Sequence, residues 1–76
     1  MLKIKDNVDL KELEKFGFKF NESIGKWYFE NLSMFEYIYI NSWNRKIIVD
    51  SINGIATSVL FDLIQAGLVE KGWWER

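Results

Sequence analysis

Residues 35–50 read Phe35-Glu36-Tyr37-Ile38-Tyr39-Ile40-Asn41-Ser42-Trp43-Asn44-Arg45-Lys46-Ile47-Ile48-Val49-Asp50, and this stretch decides the fold. Up to Ile40 aromatic side chains alternate with others on a period of two, the spacing of an extended strand, and Arg45 to Asp50 forms a second, β-branched run. Between them Asn41-Ser42-Trp43-Asn44 has turn chemistry, so the two runs form a hairpin. Working outward, Trp27 and Phe29 flank Tyr28, Phe18 and Phe20 flank Lys19, and Asn21 to Lys26, with Gly25, reads as another hairpin loop. Consecutive hairpins imply an antiparallel meander.

Both sides of the meander carry helix signals. Asp9 followed three residues later by Glu12 makes a capping box, with Val8 and Leu13 placed as its hydrophobic staple. A short helix therefore starts at Leu10 and ends at Phe16, because Gly17 can take the left-handed position and let Phe18 pack back on Leu13. The same stop recurs at Gly67 and Leu68, which closes a second helix that begins near Gly54 or Ile55. Leu2 to Ile4 reads as an edge strand, and Leu68 to Lys71 as a further short one. The expected fold is one α+β domain over residues 1–76. It is an antiparallel β-meander of three to five strands packed with two helices against one face, in the order β-α-β-β-β-β-α.

Seventy-six residues suffice for one compact core and not for a substrate domain beside a cofactor domain. The chain has neither Cys nor His, so disulfides and a structural zinc site cannot reinforce that core, which leaves packing or oligomerisation. The cysteine-free composition and the charged start Met1-Leu2-Lys3-Ile4-Lys5-Asp6 lead to an expected cytoplasmic location, in a host cell if the chain is phage-encoded. The longest uninterrupted apolar run, Tyr37 to Ile40, is far below the roughly 20 residues of a membrane span.

Catalytic chemistry finds little to use. Without His the common base near neutral pH is missing, and without Cys there is no thiolate nucleophile. Ser23 stands three residues before Lys26 in a hairpin loop, where turn formation explains it. Glycines 17, 25, 54, 67 and 72 never make a phosphate-loop spacing. Glu12 and Glu14 point in different directions on a helix, and no oxygen-rich calcium loop is present. We therefore expect no enzyme, no cofactor and no metal site.

What the chain has in excess is aromatic and apolar surface. Six Phe, four Trp and three Tyr are difficult to hide in so small a core. Trp43 stands inside a hairpin loop, and Trp73 and Trp74 are adjacent, so a strand would point them to opposite faces. In the second helix Ser58, Asp62 and Gln65 form a narrow polar stripe, while Ile52, Ile55, Ala56, Val59, Leu60, Phe61, Leu63, Ile64 and Ala66 fill most of the remaining circumference. That arc exceeds what one sheet needs, so either the other helix and the Trp73-Trp74 pair cover the excess or a second chain does, which makes a homo-oligomer the expectation. The candidate partner-binding residues are Trp43, Arg45, Phe61, Trp73 and Trp74. Tyr37 and Tyr39 read as sheet packing.

Residues 56–71, with the ending Ala66-Gly67-Leu68-Val69-Glu70, resemble the recognition helix and wing of winged-helix regulators. Charge argues against DNA reading, because no Lys or Arg lies between Lys46 and Lys71 and ten basic residues face eleven acidic ones overall. Across the chain, the order VDLKELEKFGFKF, a Trp/Tyr-rich strand, IYINSWNRKIIV and LFDLIQAGLVEK resembles small accessory proteins of phages and prophages of Gram-positive bacteria. That resemblance carries no catalytic motif and identifies no functional residue. It implies a protein that blocks host immunity, as anti-CRISPR proteins and nucleotide-sequestering sponges do. Three readings follow: an inhibitor of a bacterial defence protein, an oligomeric sponge in which Arg45 and Lys46 meet a nucleotide's phosphate, and a DNA-binding regulator.

Overall fold

The computed structural model describes residues 2–31, 36–51 and 58–72. Four strands, β2 (Lys19–Asn21), β3 (Lys26–Asn31), β4 (Glu36–Asn41) and β5 (Ile47–Ser51), form an antiparallel sheet in the order β2-β3-β4-β5. This is the α+β meander read from the period-two pattern. Its register places Phe20 opposite Trp27, Trp27 opposite Ile40 and Ile40 opposite Ile47, with Tyr28 opposite Tyr39 and Tyr39 opposite Ile48 in the alternate row.

The outer two strands make a sheet of their own. Strand β1 (Leu2–Ile4) pairs antiparallel with β6 (Val69–Lys71), Leu2 against Lys71 and Ile4 against Val69. A bridge between Lys3 and Lys46 and a hydrogen bond from Ile4 N to Arg45 O at 3.0 Å attach this pair beside the start of β5.

Leu10–Phe16 forms a helix with the expected bounds but of the tighter 3-10 type. Its first bond runs from Glu12 N to Asp9 O at 2.9 Å, a three-residue closure that a seven-residue segment sustains without an α-helical interior. Asp9 caps it by accepting from Lys11 N at 2.9 Å. Glu12 is drawn forward to Lys15, 2.6 Å away. Gly17 adopts φ 91° and Phe18 N closes on Leu13 O at 3.2 Å, as the glycine signal requires. The α-helix α1 spans Ser58–Gln65, and the expected start near Gly54 or Ile55 lies outside the described residues. Its stop is the expected one: Gly67 at φ 76° and Leu68 N bonded to Leu63 O at 3.2 Å.

Both helices serve one face of the sheet. Leu13 from the 3-10 helix and Val59, Leu60 and Leu63 from α1 join Trp27, Ile38, Ile40 and Ile47 in the core, with Ile4 of β1 and Phe18. Burying each of the fully enclosed side chains Ile4, Leu13, Ile38, Ile40 and Leu63 contributes about 1.5–3 kcal/mol. Alternation sends Tyr28, Tyr37, Tyr39 and Ile48 to the opposite face, where they are half-buried and do not belong to that core.

Candidate binding surface at the paired hairpin turns

The two hairpin loops lie at the same end of the sheet and are built alike. Each opens on an Asn and ends on a Lys, and the fifth residue donates its N–H to the first residue's carbonyl at 2.9 Å in both, Gly25 to Asn21 and Arg45 to Asn41. That residue is left-handed in both, with φ 65° at Gly25 and φ 62° at Arg45. Asparagine side chains set the remaining bends: Asn21 Oδ1 accepts from Ser23 N and Asn44 Oδ1 from Lys46 N, each at 2.9 Å.

These loops are stitched together. Gly25 O accepts from Ser42 N at 3.1 Å and from Ser42 Oγ at 2.7 Å. The Trp43 ring then lies against Gly25, where a Cβ would stand 3.4 Å from its Cζ3. Trp43 is nonetheless 64% exposed, and Ile24, at the tip of the neighbouring loop, is exposed as well. Phe20, on edge strand β2, packs at 5.2 Å and a 47° tilt against the buried Trp27 and keeps its outer side in water.

Arg45, expected to meet a partner, is engaged within the chain. Its Nη1 donates to Lys5 O at 2.7 Å and to the Val8 carbonyl, tying the segment before the 3-10 helix to the second hairpin. The buried Lys3 fixes the same segment from the other side, with Nζ 2.7 Å from Asp6 Oδ1 and 3.6 Å from Glu70 Oε2. The hydrogen bond that Lys3 donates to Asp6 raises the Lys3 pKa, burial opposes it, and the charges of Asp6 and Glu70 add to the rise. Lys3 in turn lowers the Asp6 pKa, against a smaller effect of burial.

Phe61 lies on α1, separate from the hairpin turns, and is 57% exposed, with Ile64 one turn on also exposed. The over-wide apolar face read from the sequence therefore reaches solvent at these two residues, while Val59, Leu60 and Leu63 are buried. Trp73 and Trp74 lie outside the described residues. The sequence reasoning passed over Ile24; an apolar residue between Ser23 and Gly25 in a polar turn was the available signal.

Other chemistries find little purchase. Among the described residues no group of three or more acidic, His or Cys side chains could hold a metal, and no helix is long and apolar enough to cross a membrane. A shallow pocket of about 190 Å³ between the 3-10 helix and the end of α1 is lined by Glu12, Lys15, Phe16, Ala66 and Leu68. It is below the roughly 300 Å³ at which small-molecule sites begin. Comparison of the chain with protein-family models, curated proteins and solved structures found no match.

Proposed function

We propose that this chain is a non-enzymatic binding protein that docks on a protein partner through the paired hairpin turns, with Trp43 as the anchor and Ile24 beside it. The observation that carries this reading is the combination of exposure and fixation at Trp43. Its ring faces water, yet it rests on Gly25 in a loop clamped by two hydrogen bonds from Ser42. An exposed Trp held this way loses little freedom on binding, and interface energy concentrates in such anchors. The resemblance to phage accessory proteins makes a bacterial defence protein the proposed partner, met in the host cytoplasm.

Sequestration of a nucleotide draws less support, because the Arg45 guanidinium is engaged with Lys5 and Val8 and the pocket beside the 3-10 helix, among the described residues, is too small for a nucleotide. DNA reading draws less still, because α1 carries no cation and the strand after it pairs with β1.

The test is capture from a phage-sensitive host with wild-type and Trp43→Ala baits. Truncating an anchor costs about 2 kcal/mol or more of binding. Captured partner should fall at least roughly tenfold, while thermal stability stays within about 0.5 kcal/mol because the ring is exposed. Equal capture by both baits would remove Trp43 from the reading, and a nucleotide copurifying with the wild type would favour sequestration.

A further inference from the structure

The face of the four-stranded sheet opposite the described helices carries, among the described residues, a pattern that the hairpin surface does not use. On β3, Lys26, Tyr28 and Glu30 point to this face, spaced about 6.8 Å apart with Tyr28 in the middle. Tyr39 and Ile48 continue the Tyr28 row across β4 and β5, and Lys19 closes it on edge strand β2. Tyr37 and Asp50 continue the Glu30 row. The face thus has an aromatic and apolar centre, a lysine towards the hairpin turns, and two carboxylates towards the other end.

We infer that this face is where a second copy of the chain docks, sheet on sheet, about a two-fold axis running across the strands through the Tyr28 row. A symmetric contact requires a surface that complements itself after a half-turn. Rotation about that row exchanges the positions of Lys26 and Glu30, so each copy's Lys26 meets the other's Glu30, and Tyr28 and Tyr39 meet their own counterparts. A different partner would need no such symmetry within a single strand. Lys19 lies in the axis row but on the edge strand, so it stays at the rim, where like charges are screened.

The area sets the strength. Four strands about 4.8 Å apart and five residues at about 3.4 Å give roughly 300 Å² in projection. Two copies therefore remove roughly 600 Å² from water, somewhat more with the relief of the pleat, which is the size of a weak, transient contact. The dimer is accordingly weak, with half-association on the order of 100 μM.

Sedimentation equilibrium on the full chain up to about 1 mM tests this. The wild type should show a concentration-dependent mass approaching two chains. Lys26→Glu and Glu30→Lys, each of which sets like charges face to face, should each weaken association at least roughly tenfold, and the double swap should restore it to within about threefold. Raising salt should weaken the wild-type dimer without any substitution. A monomeric wild type, a double swap as weak as its parents despite a native circular dichroism spectrum, or a salt-independent dimer would each overturn the proposal. Trp43→Ala should dimerise normally, so failure of this contact and failure of the hairpin surface are told apart.

Discussion

The two hairpin turns, Asn21–Lys26 and Asn41–Lys46, trace the same path but differ at the one position where that path is demanding. At φ 65° the first turn has Gly25, which any left-handed bend accepts, while at φ 62° the second has Arg45. A residue with a Cβ gives up roughly 1–2 kcal/mol there. What offsets that cost in the second turn is the reach of the guanidinium to the Lys5 and Val8 carbonyls. In the first turn the missing Cβ removes that cost outright, and the Trp43 ring rests over the glycine at a distance that leaves ordinary contact room. One turn is held by what its residue extends to, and the other by what its residue leaves out.

The sharpest way to break this comparison is Arg45→Ala, which keeps the unfavourable φ and loses both hydrogen bonds. Two charge-assisted bonds at a half-buried site predict a loss of about 2–3 kcal/mol, measured by urea unfolding. Next is Gly25→Ala, expected to cost about 1–2 kcal/mol through its φ and to leave Trp43 fluorescence little changed, because the new methyl group meets the ring at ordinary contact distance. Arg45→Gly should then be about 1 kcal/mol more stable than Arg45→Ala, because only the former relieves the backbone. If alanine proved the more stable of the two, the φ argument would be wrong.

The smallest effect concerns the other tie on the same segment. Asp6 titrates below its ordinary 3.8 when folded, so its contribution is complete above that pH and is lost as pH falls through the lowered value. Lys3 titrates above its ordinary 10.5, so its share is complete below that pH and is lost only as pH rises past the raised value. Denaturation midpoints should therefore fall below pH 4 less steeply in Asp6→Asn than in the wild type. The two should run parallel between about pH 5 and 9.

Local rules made much of the fold legible. Gly17 and Gly67 announced their helix stops because only a left-handed residue lets the chain leave there, and the alternation around Trp27, Tyr28 and Phe29 announced both strand and face. The 3-10 character of Leu10–Phe16 was not legible, since a seven-residue segment carries the same cap and stop in either helix type. Nor was the pairing of β1 with β6, which depends on partners that no local window contains. The site was read in part. Trp43 stood out because a Trp in a turn has no local reason to be there. Arg45 beside Lys46 looked like phosphate chemistry until tertiary structure brought two carbonyls to it. Tyr28 and its flanking charges were passed over because Lys26 and Glu30 gain meaning only once the meander has given the sheet a second face.

The β1–β6 seam has a consequence for the order of assembly. The sheet hairpins join neighbours in sequence and can close in microseconds, whereas Leu2 finds Lys71 only after nearly the whole chain is available. On the ribosome the meander can therefore form while the first strand waits for the last. In the finished protein the buried Ile4 and the bond from Lys5 N to Leu68 O keep that seam shut, so among the described strands it is β2, equally short and exposed along its length, that an exchanging deuteron reaches sooner.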